Sequence, residues 1–313
     1  GFQHDFWKAV NKGAEQAADE FGAKITFVGP QNETAIAEQL EQLNNAINKN
    51  PDAIALAALD TESELDAIKQ AQAKNIPLIG FDSGVPGAPD GAIKATASTD
   101  NHAAGANAAE HLFPLLEKKL GDKPIRIGVV SQEANSLSIT QRTSGFIDKM
   151  VELLEKKGIK TAVVGHDKFK NNVSESDAKA IIEVRVPAQV DDAAGKTEAS
   201  TVLEKSDTVA IYGSNEFAAK AIINANGSFK ESKLGADKIL AVGFDSGALQ
   251  QDAIRNGLFV GSVTQDPIQI GYQSVKLAIE AAQGKEVKDV DTGSKWYDAK
   301  NIDSDEIKPL LYQ

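Results

Sequence analysis

Short apolar runs alternate with amphipathic segments along most of this chain, and no other feature limits the fold as strongly. Apolar residues recur at helical spacing from Phe6 to Phe21, and Gly22 follows where a helix is expected to end. Continuous apolar runs at 53–58 and 77–81 predict strands that are covered on both faces. Strands and helices in alternation indicate βαβ units, and therefore an α/β fold with a parallel sheet between layers of helices.

The alternation restarts after about residue 100, which predicts a second α/β unit. The further predicted strands cover 25–28, 125–130, 161–165, 183–186, 208–212, 239–244 and 259–263. The further predicted helices cover 36–47, 65–71, 101–120 (with a kink or break at Pro114), 141–157, a segment ending at 202, 216–224, and a last helix with Asp266 as N-cap, Pro267 in its first turn and Gly284 just past its end. A polar stretch at 168–179 is predicted to be an insertion.

The chain starts with a predicted helix, whereas a parallel sheet normally places a strand before its first helix. We therefore expect an additional strand, supplied by residues upstream of Gly1, at the centre of the first sheet. The chain also opens without Met, which is consistent with a processed or trimmed form.

Composition argues against several classes of function. Apolar residues make up 42% of the 313 residues, which is enough for two cores, and no apolar run approaches the ~20 residues of a membrane span. The net charge of −12 argues against nucleic-acid binding. The chain has no cysteine, and its four histidines (His4, His102, His111 and His166) lack the spacing of metal ligands. We expect no metal and no cofactor.

One pentapeptide, Gly-Phe-Asp-Ser-Gly, occurs twice, at 80–84 and at 243–247, and each copy follows an apolar run. In open parallel sheets, ligands bind beyond the carboxyl ends of the strands. The repeat therefore predicts that Asp82 and Asp245 occupy equivalent positions in two similar lobes. Two facing carboxylates define a cleft that accepts hydroxyl protons from both sides, as a neutral polyol requires.

Hydrogen-bond donors follow nearby strands or open helices. Asn215 and Gln265 come directly after predicted strands, and Arg142 brings a rigid fork of N–H groups. Phe6 and Trp7 open the first helix, where they are candidates to stack on the apolar face of a sugar ring. Core packing is the alternative for each, but two adjacent aromatic residues on a helix cannot both point inward.

Several of these motifs occur together in one known family. They are Phe6-Trp7, Asp82 after Pro77-Leu-Ile-Gly-Phe, Ser98-Thr99-Asp100-Asn101, Arg142 in Gln-Arg-Thr-Ser-Gly-Phe, Asn215 in Gly-Ser-Asn-Glu, Asp245 in Val-Gly-Phe-Asp, and Gln265 in Thr-Gln-Asp-Pro-Ile-Gln-Ile-Gly. In this order and spacing the chain resembles, over nearly its whole length, the ribose- and galactose-type periplasmic sugar-binding proteins of bacterial ABC transporters, which have the periplasmic binding protein type I fold.

The resemblance implies two Rossmann-like lobes with parallel sheets and a ligand cleft between them, divided as 1–99 plus 266–291 and 100–265 plus 292–313. It implies ring stacking by Phe6 and Trp7. It also implies recognition of hydroxyl groups by a set of polar residues, which are His4, Asp82, Arg142, Asn215, Asp245 and Gln265. Ser83 and Ala57 stand where ribose binders have arginine and asparagine, which leaves another pentose, a hexose or a related polyol open.

The resemblance further implies a monomeric, non-enzymatic protein that closes by hinge motion and passes its ligand to a membrane permease. The expected location is periplasmic or extracellular after export through a signal peptide, with a lipoprotein anchor if the source is Gram-positive. Three alternatives remain open: the ligand-sensing core of a lactose-repressor-type regulator, a quorum-signal receptor of the same fold, and an enzyme using two carboxylates. The first suits the acidic charge poorly, and no catalytic motif supports the last.

Overall fold

A computed structural model of the protein describes residues 4–312. Its helices are α1 (Asp5–Phe21), α2 (Ile36–Asn48), α3 (Leu65–Ala73), α4 (Asn101–Glu117), α5 (Leu137–Lys156), α6 (Asp192–Leu203), α7 (Glu216–Gly227), α8 (Ala248–Arg255) and α9 (Pro267–Ala282). Its strands are β1 (Ile54–Leu56), β2 (Leu78–Phe81), β3 (Ile93–Ser98), β4 (Ile125–Val130), β5 (Thr161–Val164), β6 (Ala180–Arg185), β7 (Thr208–Gly213), β8 (Leu240–Phe244), β9 (Gly261–Gln265), β10 (Val290–Asp291) and β11 (Ser294–Tyr297).

The strands form two sheets. The first has the order β1-β2-β3-β10 and is parallel throughout. The second has the order β11-β9-β8-β7-β4-β6-β5, in which the pair β11–β9 is antiparallel and the remaining pairs are parallel. We call the first sheet with α1, α2, α3 and α9 the first lobe, and the second sheet with α4 to α8 the second lobe. The predicted two-lobed α/β fold is confirmed.

The chain passes between the two sheets three times. It leaves the first sheet after β3, returns to the first lobe after β9, and crosses again between β10 and β11. The residue limits predicted for the two lobes stay a prediction, and their outermost positions, 1–3 and 313, lie outside the described residues.

Close helix contacts hold the elements that face the cleft. Helices α4 and α5 pack at glycines, where a Cβ at Gly105 would lie 2.2 Å from the carbonyl oxygen of Arg142 and one at Gly145 2.1 Å from that of His102. Any side chain at these two positions would push α5 away from α4. The glycines therefore fix the start of α5 relative to the ends of the strands.

Several predicted elements differ from those observed. Residues 25–28 form no strand, although Phe27 packs against two apolar clusters. Apolar packing is common to strands and to irregular segments, so an apolar run alone does not identify a strand. Of the predicted kink or break at Pro114, the break is wrong: α4 continues to Glu117, because Leu112, Phe113 and Leu116 pack in the core on both sides of the proline, and the kink stays a prediction. The expected additional first strand stays a prediction.

Four elements were missed: β3, α8 and the two short strands β10 and β11 near the end of the chain. β3 carries Ala95 and Ala97 at its buried positions, and alanine gives a weak strand pattern. α8 has only eight residues. Within residues 4–312, no helix combines the length and the apolar character needed to cross a membrane.

Candidate functional site

The two copies of the repeated pentapeptide adopt the same backbone geometry. Asp82 follows β2 and Asp245 follows β8, and both have left-handed backbones with φ of 61° and 75°. The N–H of Asp82 donates to Ala97 O at 3.0 Å, and that of Asp245 donates to Val263 O at 2.7 Å, so each bonds to the neighbouring strand. Aspartate is one of the few residues that tolerate this conformation. Each lobe thus presents one carboxylate at the carboxyl edge of its sheet.

Both carboxylate oxygens of Asp245 are engaged by the protein. Gln265 Nε2 donates to Oδ1 at 2.6 Å, while Arg142 Nη1 and the backbone N–H of Glu216 each donate to Oδ2 at 3.3 Å. Asp245, Arg142 and Gln265 are all buried. Three elements therefore converge on one carboxylate, which is held in place before any ligand arrives.

The guanidinium of Arg142 is fixed on three sides. Its Nε donates to Asn101 Oδ1 at 2.9 Å, its Nη1 reaches Asp245, and its central carbon lies 4.3 Å from the centre of the Phe244 ring. The side chain is only 4% exposed. Because the planar fork is held by several contacts, a lysine at this position would keep the charge but lose the geometry.

The two amide side chains of the site are also held. Asn215 Oδ1 caps α7 by accepting from Ala218 N at 2.9 Å, and its Nδ2 donates to Gln132 Oε1 at 2.7 Å. Gln265 Oε1 accepts from Thr99 Oγ1 at 2.9 Å, in addition to its bond with Asp245. Each amide group keeps one N–H that these bonds do not use.

Asp82 has a different environment. Among residues 4–312, no group donates a hydrogen bond to its carboxylate, and the adjacent Ser83 Oγ is buried without a partner. Burial raises the pKa of Asp82 to about 7; Arg142 opposes this rise, while Glu33 and Asp245 add to it. The aspartate of the first lobe therefore lacks the ready-made partners that its counterpart has.

His4 connects the two lobes. Its Nδ1 caps α1 by accepting from Phe6 N at 3.0 Å, and its Nε2 pairs with the carboxylate of Glu216, the first residue of α7. The hydrogen bond to Glu216 raises the pKa of His4 against the opposing effect of burial. The capping bond needs a lone pair on Nδ1 and so favours the neutral ring with its proton on Nε2.

The two aromatic residues of α1 differ in burial. Phe6 is buried in a cluster with Val10, Ile270 and Tyr312, and its ring lies 5.6 Å from that of Tyr312. Trp7 is half-buried, lies edge-to-face against Phe6, and donates from Nε1 to Glu33 Oε1 at 3.4 Å. Phe6 therefore makes the core contacts that were given as the alternative to stacking on a sugar ring. Trp7 keeps an accessible ring.

Seven of the eight predicted site residues are joined by these contacts or by electrostatic interaction, whereas the side chain of Asn215 bonds to Ala218 and Gln132, and several partners were missed. The missed residues are Glu33, Thr99, Asn101, Gln132, Glu216 and Tyr312. Asn101 interrupts an otherwise apolar buried stripe on α4, a pattern visible in the sequence. Tyr312 had no comparable sequence pattern, because its contacts with His4 and Phe6 join opposite ends of the chain.

The arrangement suits recognition of a polar ligand by hydrogen bonds and ring contacts. Buried donors and acceptors stand beside an accessible indole ring. Within the described residues, no group of three or more His, Asp or Glu side chains is placed to hold a metal ion.

Comparison with known proteins identifies the family of the chain. Residues 1–286 match the family model of the periplasmic binding protein domain. The ribose import binding protein of Haemophilus influenzae is 26% identical over 284 residues, covering 90% of this chain and 83% of that protein. These relatives are solute-binding proteins, which confirms the expectation that the chain is not an enzyme.

Solved structures give the same result. A protein from Brachyspira murdochii, described as an ABC transporter, LacI family transcriptional regulator, is 40% identical with a TM-score of 0.86, covering 100% of this chain and 96% of that one. An ABC transporter solute-binding protein from Agrobacterium vitis with bound D-fucose is 28% identical with a TM-score of 0.79, covering 99% and 97%. The chain belongs to the periplasmic binding protein family.

Proposed function

We propose that this protein is an extracytoplasmic solute-binding protein that binds a monosaccharide or related polyol between its lobes and delivers it to an ABC transporter permease. The observation that carries the proposal is the buried cluster of Arg142, Asp245 and Gln265 at the carboxyl edge of the second sheet. Such a cluster offers a fixed acceptor and fixed donors to the hydroxyl groups of one small ligand.

The similar proteins support a sugar as the ligand class. One curated relative is a ribose import protein, and one solved structure holds D-fucose. Ser83 and Ala57, where the resemblance expects arginine and asparagine, favour a sugar other than ribose. His4, Phe6, Trp7, Asp82, Arg142, Asn215, Asp245 and Gln265 are the proposed contacts.

Contacts between the lobes support closure around a ligand. His4 of α1 pairs with Glu216 of α7, and the Phe6 ring meets Tyr312, whose hydroxyl accepts from Ser246 N of the second lobe at 3.4 Å. We propose hinge motion at the three passages near 100, 265 and 292, between lobes limited as predicted. Small-angle scattering should then show a smaller radius of gyration with saturating ligand, and an unchanged radius would contradict the hinge.

The proposed partners and location follow from this role. The protein acts as a monomer with a membrane permease, in the periplasm or outside the cell, and a lipid anchor holds it at the membrane if the source is Gram-positive. The names of the curated relatives, which include periplasmic and import binding proteins, support an extracytoplasmic location.

A thermal-shift screen over monosaccharides and polyols tests the proposed function. A ligand at 100 times its Kd should stabilise the protein by about 2.7 kcal/mol, because it binds only the folded state. The Trp296→Phe variant leaves Trp7 as its single tryptophan, so its emission should change with the same ligand. Absence of any stabilising sugar or polyol would contradict the proposal, and unchanged emission with proven binding would remove Trp7 from the site.

A second candidate function is the ligand-sensing core of a lactose-repressor-type regulator. This candidate is supported by the description of the Brachyspira murdochii protein, which includes both an ABC transporter and a LacI family regulator. A gel-shift experiment with the full gene product and its own upstream DNA separates the two functions. We expect no shift with or without the sugar, and a sugar-sensitive shift would support the regulator instead.

A further inference from the structure

The two sides of the cleft differ in how their negative charges are balanced. All arginines of the chain belong to the second lobe; they are Arg126, Arg142, Arg185 and Arg255. The only one at the cleft, Arg142, already donates to Asp245 and Asn101. The first lobe therefore has no arginine to place beside Asp82.

Some carboxylates of the cleft form ion pairs with described residues, and one of them does not. Asp245 pairs with Arg142 at 3.3 Å, and Glu216 pairs with His4. The groups that act electrostatically on Asp82 are Arg142, which is committed to Asp245, and two further carboxylates, Glu33 and Asp245. Glu33 is exposed and accepts only the Trp7 indole N–H among residues 4–312, whereas Asp82 accepts nothing there. Asp82 thus forms no ion pair with a described residue, and the one favourable charge that acts on it, Arg142, is paired with Asp245.

A neutral sugar meets only part of this requirement. Its hydroxyl groups can donate to Asp82, but they bring no charge, and closing the lobes would bury the carboxylate further. A buried carboxylate is stable when it is paired with a cation or when it is neutral. In the second lobe Arg142 supplies the cation, so neutral hydroxyl groups suffice for Asp245. At Asp82 either the carboxyl takes up a proton or the ligand supplies the positive charge.

We propose that the ligand of this cleft carries a protonated amine that lies against Asp82, so that the ligand class is an amino sugar or another amine-bearing polyol. The ammonium group donates to the carboxylate that no group within residues 4–312 satisfies, and its hydroxyl groups meet Arg142, Asp245 and the free amide N–H groups of Asn215 and Gln265. The inference rests on the proposed function, because it specifies the ligand class of the same cleft.

Paired calorimetric titrations at pH 7.5 test the inference. The probes are D-galactosamine, D-glucosamine, D-mannosamine and 1-amino-1-deoxy-D-sorbitol, each beside its neutral parent. We expect at least one amine to bind about tenfold or more tightly than its parent, as a charge-assisted bond provides. In the Asp82→Asn variant, which keeps an acceptor oxygen but no charge, the preference should fall to about one. Asp66→Asn removes a charge from an exposed site on α3 of the same lobe and should keep the preference.

The outcomes separate the inference from the proposed function. Neutral parents that bind as tightly as the amines would overturn the inference and leave the proposed function intact; their affinity should then fall as the pH rises past about 7, where Asp82 loses its proton. A preference for the amine that survives in Asp82→Asn would overturn the assignment to Asp82. Failure of every sugar, polyol and amine to bind would overturn both.

Discussion

Carboxylates in the two lobes have opposite surroundings. In the second lobe, Asp245 is held by Arg142 and Gln265, and Glu183 on β6 accepts from Arg126 Nη1 at 2.7 Å and Lys205 Nζ at 2.6 Å. In the first lobe, Asp82 accepts no hydrogen bond from the described residues. A repeated pentapeptide thus reproduces the backbone of a site without reproducing its electrostatics.

Glu64, directly before α3, is a second carboxylate of the first lobe that lacks hydrogen-bond partners among the described residues. Its side chain is 0% exposed, and within residues 4–312 neither carboxylate oxygen has a hydrogen-bond partner. Burial raises the pKa of Glu64 to about 7, and the nearby Asp60 adds to the rise. Asp82 has a pKa raised to the same value, also through burial. In the second lobe Asp245 and Glu183 are held by cationic side chains, whereas in the first lobe burial raises the pKa of Glu64 and Asp82 to about 7.

The largest effect is expected from removing the carboxylate of Asp245. Asp245→Ala leaves Arg142 as a buried cation without its partner and leaves the hydroxyl groups of the ligand as unpaired donors. We expect a loss of about 3–5 kcal/mol in the free energy of unfolding and a loss of affinity greater than about 100-fold. Urea denaturation and calorimetry measure the two quantities.

Arg142→Lys tests the same cluster more gently. The variant keeps a positive charge but loses the bond to Asn101 and the planar fork, so affinity should fall by about 10- to 150-fold. Arg255→Lys, at an exposed pair with Asp303, is the matched control and should bind like the unchanged protein. If folded Asp245→Ala or Arg142→Lys protein binds within about threefold of the unchanged protein, the site assignment is wrong.

The sequence alone predicted the framework of this comparison and missed its electrostatics. The repeat placed Asp82 and Asp245 at equivalent strand ends, because strand-to-turn geometry is local and the pentapeptide specifies it. The partners of Asp245 come from α5, α7 and β9, and only tertiary packing brings these elements together. For Asp82 the sequence offered one signal, the absence of arginine from the first lobe, including Ser83 beside it, but not which groups surround the carboxylate.

The same limit applies to the fold. Helices with strong apolar spacing, such as α1 and α2, were predicted within a few residues of their observed ends. β3 was missed because its buried positions are alanines, and 25–28 was wrongly predicted because a short apolar run fits a strand and an irregular packed segment equally well. Local propensity therefore predicts the elements, while pairing between distant segments decides which of them join a sheet.

One substitution made in both lobes should have opposite effects on the unliganded protein. Asp82→Asn removes a carboxylate whose pKa is raised from 3.8 to about 7, so it should stabilise the fold at pH 8. Its full electrostatic cost corresponds to roughly 4 kcal/mol, and because the side chain is not completely buried we expect a gain of about 1–3 kcal/mol. Asp245→Asn weakens the bond to Arg142 and should cost about 1–3 kcal/mol.

The pH dependence of stability checks whether the carboxylate of Asp82 destabilises or stabilises the fold. The cost of Asp82 develops as the pH rises from about 4 to about 7, because the folded protein then holds a proton that the unfolded chain has released. The gain in Asp82→Asn should therefore disappear near pH 4 and level off above about pH 7. Thermal unfolding across this range measures it, and a loss of stability in Asp82→Asn at pH 8 would mean that the carboxylate has a counter-charge.

Glu64 and Glu183 extend the comparison to buried carboxylates away from the cleft. The rise in the pKa of Glu64 from 4.5 to about 7 corresponds to on the order of 3 kcal/mol of cost above pH 7. Glu64→Gln should recover about 1–2 kcal/mol of this at pH 8, since the amide still needs partners, and nothing at pH 4. Glu183→Gln loses charge-assisted bonds to Arg126 and Lys205 and should destabilise the fold at pH 8. If Glu64→Gln and Glu183→Gln change the free energy of unfolding equally in urea denaturation, the proposed difference between the buried carboxylates of the two lobes is wrong.

The smallest expected effect concerns His4–Glu216, the one ion pair that joins the lobes within residues 4–312. Both side chains are about one-third exposed, so the pair should contribute only about 0.3–1 kcal/mol to the closed form, which is roughly a two- to fivefold effect on affinity. Because the pKa of His4 is raised above 6.5, this contribution is complete below pH 6.5 and is lost as the pH rises through the raised value.

Glu216→Gln keeps the backbone N–H that donates to Asp245, so it removes the charge alone. Calorimetry should therefore find unchanged protein binding about two- to fivefold more tightly than Glu216→Gln at pH 6, with a smaller difference at pH 9. Asp148→Asn, which removes the partner of the exposed His102, should show no difference at either pH. A gap between unchanged protein and Glu216→Gln that widens as the pH rises would show that the pair acts through the neutral ring and the capping bond of Nδ1, and not through the charge of an imidazolium.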